Sequence, residues 1–367
     1  MGAPALMLAG LSRYNHSVDK SSNRNSAPGV FAGGARQEAG AGTAPRSAPV
    51  YAALDLGTNN CRLLIARPNR DNFRVVEAFS RIVRLGEGLA ATGRLSDAAM
   101  ARTITALKIC SEKMARRGVT IARAVATEAC RRAENGIEFM HEVKAVTGIQ
   151  FDIISTAEEA RLALAGCAPL LEPSHNQAVV FDIGGGSTEV MWARVGPRRR
   201  TEVLDWISLP FGVVNLTERW GAGDTESGSY IGMINEVAAK LEPFEARHNL
   251  GPAMRAGKVQ VLGTSGTVTT LAGVLLGLPR YERRLVDGCW LEFPAVIDQS
   301  QKLAAMSVPD RAKHGCIGEE RADLVVAGCA ILEALHRFWP APRLRVADRG
   351  VREGVLLELM RQQRGGA

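Results

Sequence analysis

The stretch Asp182-Ile183-Gly184-Gly185-Gly186-Ser187-Thr188-Glu189 decides the predicted fold of this chain. It follows the apolar run Ala178-Val179-Val180-Phe181, which predicts a buried strand, and residues 189–193 predict a returning strand. A hairpin turn needs one or two glycines at most, and each glycine costs backbone entropy without packing a side chain. Three consecutive glycines therefore favour a backbone that must approach a ligand closely. The loop lacks the lysine of the G-x-x-x-x-G-K-[ST] motif, which argues against a Walker-type nucleotide site.

The same arrangement occurs near the start of the chain. Residues 51–54 predict a buried strand that runs into Asp55-Leu56-Gly57-Thr58-Asn59, and residues 62–66 and 73–79 predict the next two strands. In such a turn Gly57 permits close approach, and successive backbone N–H groups can bind an anion. Asp55 stands at the strand end, where it can hold a divalent metal ion. A plain hairpin turn is the alternative, but the recurrence predicts an internal duplication.

These patterns predict an α/β chain of two domains, in keeping with its 367 residues. We place an N-terminal domain at residues 50–172 and a C-terminal domain at residues 173–367, whose last helix, residues 351–361, can pack back on the first domain. Residues 1–49 are rich in Ser, Asn, Gly, Ala and Pro and are interpreted as a disordered extension.

Composition and charge argue against several classes of function. The net charge is +7, and no basic stripe is interleaved with aromatic residues, so we expect no specific nucleic-acid partner. No run approaches the roughly 18 apolar residues of a transmembrane helix, so no membrane partner is predicted. The seven cysteines include no C-x-x-C pair, which is typical of buried thiols in a reducing compartment, and we expect a cytoplasmic protein.

Three further motifs carry candidate site residues, and each has a structural alternative. Glu158-Glu159-Ala160-Arg161 opens a predicted helix, where paired carboxylates also complement the helix dipole. Arg131 follows the strand predicted at residues 121–126, so it either clamps a phosphate or lies on the solvated surface. Gly263-Thr264-Ser265-Gly266-Thr267 separates a strand from a helix and is either a phosphate-facing turn or a tight turn with a Ser/Thr cap.

Together with Asp348-Arg349-Gly350-Val351-Arg352-Glu353-Gly354, these motifs resemble in kind and order the exopolyphosphatase/guanosine pentaphosphate phosphohydrolase (Ppx/GppA) family. The resemblance extends over about residues 51–360. It implies a duplicated actin-like (ribonuclease-H-like) α/β fold with the site in an interdomain cleft. It also implies Mg²⁺ or another divalent cation as cofactor, polyphosphate or guanosine pentaphosphate as substrate, and a homodimer.

The resemblance also implies roles for individual residues. Glu159 is the implied general base for water, Asp182 the anchor of the cation, and Glu189 a support for the cation or the water. We add Asp55 to the metal ligands. The resemblance implies phosphate-binding roles for Gly57, Thr58, Asn59, Arg131, Gly184, Gly185, Gly186, Ser187 and Thr188. To these candidates we add Arg62 and, from the third turn, Gly263, Ser265, Gly266 and Thr267.

The sequence departs from the family pattern in two places. The first loop has Asn60 or Cys61 where a serine is usual, and the helical HD-type domain of long members does not follow before Ala367. We therefore expect the short form, with chain-length range and processivity left open. Two other hypotheses also stay open, an actin-like-fold ATPase or small-molecule kinase and a non-catalytic alarmone-binding regulator. Glu159 and residues 348–354 favour the hydrolase.

Overall fold

The computed structural model describes residues 48–70, 72–223 and 228–365, with side chains to residue 363. Residues 1–47, which make up most of the predicted disordered extension, lie outside the described residues. The described part begins three residues before the first strand. It ends in the last helix.

The described residues of the N-terminal half form five strands and five α-helices. Its strands are β1 (Tyr51–Leu56), β2 (Asn60–Pro68), β3 (Phe73–Ile82), β4 (Ile121–Ala126) and β5 (Phe151–Ile153). Its helices are α1 (Leu89–Thr92), α2 (Asp97–Arg116), α3 (Glu128–Arg132), α4 (Gly136–Thr147) and α5 (Thr156–Cys167).

The C-terminal half contains further strands and helices in the same alternating pattern. Its strands are β6 (Gln177–Ile183), β7 (Thr188–Val195), β8 (Thr201–Leu209), β9 (Gln260–Thr264), β10 (Trp290–Glu292) and β11 (Arg343–Ala347). Its helices are α6 (Val213–Trp220), α7 (Ser229–His248), α8 (Gly251–Arg255), α9 (Ser265–Leu275), α10 (Arg283–Val286), α11 (Phe293–Ala304), α12 (Val308–Ala312), α13 (Val325–Phe338) and α14 (Val351–Gly365).

The sheets of the two halves have the same core strand order. The first sheet runs β3-β2-β1-β4-β5, with β2 antiparallel and β4 parallel to β1. The second sheet runs β8-β7-β6-β9-β11 and is extended by β10, with β7 antiparallel and β9 parallel to β6. Each half therefore repeats one topological unit, and the predicted duplicated α/β fold is confirmed.

The central strands β1 and β6 are covered on both faces, which is why their sequences are continuous apolar runs. Leu54 of β1 faces a core inside the first half, and Phe181 of β6 faces a core inside the second half. The opposite faces of the two strands contribute Ala53 and Val180 to a third core, which also contains residues of α5 and α14. This shared core fixes the position of one sheet relative to the other.

Helices α5 and α14 approach each other closely in the shared core. A Cβ atom built on Gly354 of α14 would lie 2.0 Å from the carbonyl oxygen of Leu162 in α5. A Cβ atom on Gly166 of α5 would lie 2.1 Å from the carbonyl oxygen of Gly350. The absence of side chains at these positions permits the contact. Helix α14 also contacts β1, while the domain boundary after residue 172 stays a prediction.

No helix within the described ranges combines the length and the apolar character needed to cross a bilayer. The sequence analysis placed no elements between residues 209 and 258 or between residues 277 and 343. The structure has α6, α7 and α8 in the first interval, and α10 to α13 with β10 in the second.

Candidate active site

The ends of the central strands open into a cleft between the two halves. Three turns line it: residues 57–59 between β1 and β2, residues 184–187 between β6 and β7, and residues 265–267 at the start of α9. Open α/β sheets bind ligands at such strand ends. The predicted site residues that line the cleft are Asp55, Gly57, Thr58, Asn59, Arg62, Glu159, Asp182, Gly184, Gly185, Gly186, Ser187, Glu189, Ser265, Gly266 and Thr267.

The first two turns are built in the same way. The backbone N–H of Gly57 donates to the carbonyl oxygen of Asn60 at 2.9 Å, and that of Gly184 donates to the carbonyl oxygen of Ser187 at 2.9 Å. An aspartate stands two residues before each of these glycines, Asp55 in one half and Asp182 in the other. The duplication therefore extends from the strand order to single hydrogen bonds of the site.

The two turns also contact each other across the cleft. A Cβ atom built on Gly185 would lie 3.1 Å from the backbone nitrogen of Asn59, and one on Gly186 would lie 2.8 Å from Oγ1 of Thr58. Gly212, at the start of α6, packs as closely, because its Cβ atom would lie 2.4 Å from the backbone nitrogen of Gly186. These glycines thus allow the two loops to touch, in addition to any approach to a ligand.

Cross-strand pairing gives the two halves opposite charges at equivalent positions. Asp55 pairs with Arg62 in the β1–β2 register, and Asp182 pairs with Glu189 in the β6–β7 register. Across the described residues, the Arg62 guanidinium makes no hydrogen bond or ion pair with protein. One side of the cleft therefore presents an arginine whose donors are available to an anion, and the other presents two carboxylates.

Four carboxylates of the cleft have raised pKa values, and burial is the largest cause for each. Burial raises the pKa of Asp55, against the opposing effect of Arg62. Burial raises the pKa of Asp182 to about 6, and burial with the neighbouring Asp182 charge raises that of Glu189 to about 7. Burial and Glu189 raise the pKa of Glu159 well above its usual value. A bound cation or protonation would relieve the repulsion among these carboxylates.

Glu159 is held by the first turn of α5 and by an arginine. Ser155 is the N-cap residue of α5, because its hydroxyl accepts a hydrogen bond from the Glu158 backbone N–H at 3.2 Å. Both terminal nitrogens of Arg131 donate to Oε2 of Glu159 at 3.2 Å. Arg131 also donates to Glu128 at 2.7 Å and to the carbonyl oxygen of Ile154 at 2.8 Å. Its charge lowers the pKa of Glu159, against the effect of burial.

Three predicted site residues do not line the cleft. Arg131 lies behind Glu159 and Glu128, with both terminal nitrogens bound to their carboxylates. The Thr188 hydroxyl is buried and donates to the carbonyl oxygen of Phe211 at 2.7 Å. Gly263 faces the core, because a Cβ atom there would lie 2.6 Å from the ring of Phe181.

The sequence analysis missed Arg321, which lines the cleft. Its Nη1 donates to Oγ1 of Thr270 at 3.2 Å, and burial together with the nearby Arg62 charge lowers its pKa. Arg321 also lines a second cavity of about 760 Å³, which adjoins the first at Asp55, Arg62 and Asp182. No sequence motif surrounds Arg321, and its position depends on tertiary contacts alone.

The donor set fits a cation that is only partly bound by protein. Within the described part of the chain, no three His, Cys, Asp or Glu side chains converge closely enough to form a metal site by themselves. Mg²⁺ is usually held by one or two carboxylates, with waters and substrate phosphates as the remaining ligands. Asp182 and Glu189, opposite each other on β6 and β7, fit that mode.

The model of the Ppx/GppA phosphatase family matches residues 64–363, which is most of the chain. The chain belongs to this family. The family membership indicated by the motifs is thereby confirmed.

Two curated Ppx/GppA relatives show how much of the protein is shared. Exopolyphosphatase 2 of Mycobacterium tuberculosis is 31% identical over 325 residues, which cover 84% of this chain and 98% of the relative. The guanosine-5'-triphosphate,3'-diphosphate pyrophosphatase of Aeromonas salmonicida is 30% identical over 315 residues, which cover 86% of this chain and 60% of the relative. The chain thus matches nearly the whole of the first relative and a part of the second.

Solved Ppx/GppA structures share the fold. The family member from Aquifex aeolicus is 29% identical, with a TM-score of 0.69 over 86% of this chain and 98% of that chain. An exopolyphosphatase from Cytophaga hutchinsonii is 25% identical, with a TM-score of 0.76 over 85% of this chain and 98% of that chain. These matches confirm the fold class expected from the resemblance.

Proposed function

We propose that this protein is a divalent-cation-dependent hydrolase that removes the terminal phosphate of polyphosphate or of guanosine pentaphosphate as orthophosphate. The observation that carries the proposal is the position of Glu159, a half-buried carboxylate that faces a cleft formed by two equivalent glycine turns. The printed names of the two relatives, an exopolyphosphatase and a guanosine pentaphosphate pyrophosphatase, support the same reaction class.

The phosphate would be bound mainly by groups that already point into the cleft. The turns at residues 57–59 and 184–187 provide backbone and hydroxyl donors, and Arg62 and Arg321 provide positive charge from the cleft wall. Phosphoryl transfer depends mostly on positioning and on charge neutralisation, which fixed donors supply without reorganisation. Ser265, Gly266 and Thr267, at the start of α9, would contact the more distant phosphates.

Glu159 would act as the general base. Its carboxylate would accept a proton from the attacking water as the water forms a bond to the terminal phosphorus, and the bridging oxygen would leave with the rest of the substrate. Arg131 would hold this carboxylate in place from behind rather than contact phosphate, because both of its terminal nitrogens are bound to carboxylates. A positioned base contributes roughly 10²- to 10⁴-fold to the rate.

Mg²⁺ or another divalent cation fits the carboxylates of the cleft. Asp182 and Glu189 would hold it, with Asp55 on the opposite wall, and the cation would supply neutralisation of phosphate charge when bound. Ser208 donates to Oε1 of Glu189 at 2.9 Å and thereby orients that carboxylate. The raised pKa values of Asp182 and Glu189 are expected for carboxylates that would bind a cation.

The proposal also covers cellular location, oligomeric state and partners. We propose a cytoplasmic enzyme, a reading supported by the free state of all the cysteines among the described residues. A homodimer, and the absence of nucleic-acid or membrane partners, remain proposals that rest on the family resemblance and on the composition.

The test is a side-by-side measurement of phosphate release, in Mg²⁺, from long polyphosphate, short polyphosphate and guanosine pentaphosphate. We expect release from at least one substrate and its loss in excess EDTA. Loss in EDTA with recovery on added Mg²⁺ would support the cation. Release from none of the three substrates would contradict the proposed function.

A further inference from the structure

Residues 83–88, here called the bridging loop, join the two halves of the molecule at the cleft. On the side of the first half, the loop is bonded to the turn that follows β1. The backbone N–H groups of Val83 and Arg84 donate to the carbonyl oxygen of Asn59 at 2.9 and 3.1 Å, and that of Gly86 donates to the carbonyl oxygen of Thr58 at 2.9 Å. These bonds attach the bridging loop directly to the turn at residues 57–59.

Helix α2 holds the bridging loop from behind. Arg102 of α2 donates through Nε to the carbonyl oxygen of Val83 at 3.0 Å and through Nη2 to Glu87 at 2.7 Å. Since α2 packs in the core of the first half through residues such as Leu107, this contact gives the loop a rigid base.

On the side of the second half, the loop is bonded to the segment that carries Arg321. The Arg84 guanidinium donates to the two carboxylate oxygens of Asp323 at 3.0 and 3.1 Å and to the carbonyl oxygen of Glu320 at 3.2 Å. The backbone N–H of Gly88 donates to Glu218 of α6 at 2.8 Å. The residues bound by Arg84 thus flank Arg321, which lines the cleft.

The backbone of Arg84 has an uncommon conformation that the surrounding contacts must hold. Its φ of 46° lies in the left-handed region, which is uncommon for a non-glycine residue and persists where surrounding contacts hold it. The ion pair itself is about one-third exposed on each side, at 31% and 32%, so it adds little to stability. Its two-pronged geometry, by contrast, fixes the relative position of both partners.

We propose that Arg84 is a positioning residue for the cleft. Its pair with Asp323 sets the distance between the Thr58–Asn59 turn and Arg321, and so holds phosphate donors from both halves around one phosphate. This inference rests on the proposed function, because the donors matter only if the cleft binds phosphate.

The kinetic test uses each partner and the exchanged pair. Arg84→Ala and Asp323→Ala should each lower kcat/KM by roughly 10- to 100-fold, because small errors of position are costly in a preorganised site. The exchanged pair, Arg84→Asp with Asp323→Arg, should recover part of that loss, and Asp tolerates the left-handed backbone better than most residues. Arg194→Ala, which removes an exposed pair with Glu202 within one sheet, is the matched control. Wild-type kcat/KM in Arg84→Ala would overturn the proposal.

A second measurement does not depend on activity. In Asp323→Ala the amides of Val83, Arg84 and Gly86 should exchange hydrogen faster than in the wild type, although the substitution lies in the other half. If wild type releases no phosphate, the proposed function fails, and this comparison still decides the positioning role. Unchanged exchange at these amides would show that Asp323 does not hold the turn and would overturn the inference.

Discussion

Both terminal nitrogens of Arg131 donate to the same oxygen of Glu159, Oε2, each at 3.2 Å. This contact is the one expected of an arginine that positions the proposed base, rather than of one that binds the substrate. Burial and the Glu189 charge raise the pKa of Glu159, whereas the Arg131 charge lowers it, so Arg131 favours the ionised form of the proposed base.

Arg131→Ala should therefore move the acid limb of the rate profile to higher pH. Without the guanidinium the pKa of Glu159 rises further, and a base must be ionised to accept a proton. We expect kcat at neutral pH to fall roughly 10- to 100-fold, with KM changed much less. The measurement is kcat and KM against pH.

Arg132→Ala is the control for this substitution, because Arg132 is more exposed and lies 3.7 Å from Glu128. A variant of Arg131 with a raised KM and an unmoved pH profile would instead assign Arg131 to the phosphate, as the family resemblance implied.

Glu189→Gln should stabilise the protein in EDTA at alkaline pH. The Glu189 pKa is raised from 4.5 to about 7 in the folded state, so the folded state binds the proton more tightly than the unfolded state does. Stability from this group is present below pH 4.5 and is lost as pH rises towards about 7. Glutamine avoids that loss, which is on the order of 3 kcal/mol.

Thermal unfolding at pH 5 and pH 8 in EDTA tests this expectation. The gain in Tm of Glu189→Gln over wild type should be larger at pH 8, and the variant should be inactive. An equal Tm difference at both pH values would mean that the Glu189 carboxylate does not carry the raised pKa.

Gly212→Ala should destabilise the fold through the contact of Gly212 with the second glycine turn. The added Cβ atom would lie 2.3 Å from the backbone carbon of Gly185, which cannot move without displacing the glycine turn. We expect a loss of about 1–3 kcal/mol, as for overpacked cores, together with reduced activity. Gly266→Ala is the matched control, because nothing lies within 4 Å of a Cβ atom there. Denaturant unfolding of both variants provides the comparison, and equal stability would contradict the close approach.

The sequence predicted those parts of the fold whose local pattern is unambiguous. Strands β1, β6 and β9 are short, largely apolar runs that lead into Asp, Gly or Thr residues, and all three were predicted. Helix α13 was missed because residues 325–335 are all buried, so the segment has no polar face to reveal a helical period.

The glycines of the second loop show a limit of sequence reasoning about sites. Their number predicted a backbone that approaches a ligand, and this stays a prediction. In the structure Gly185 and Gly186 approach the backbone and side chains of Asn59 and Thr58. A bound ligand and a neighbouring loop both require glycine at a close approach, because both leave no room for a Cβ atom. Arg321 was beyond prediction for a different reason, since only the fold brings it to the cleft.

The most direct test of the proposed chemistry compares two adjacent carboxylates of α5. Glu159 faces the cleft, whereas Glu158 binds Arg123 at 2.6 Å outside it. Glu159→Gln should lower kcat for phosphate release by roughly 10²- to 10⁴-fold with substrate binding largely retained, and Glu158→Gln should stay close to wild type. Near wild-type turnover in Glu159→Gln would contradict the assignment of Glu159 as the base.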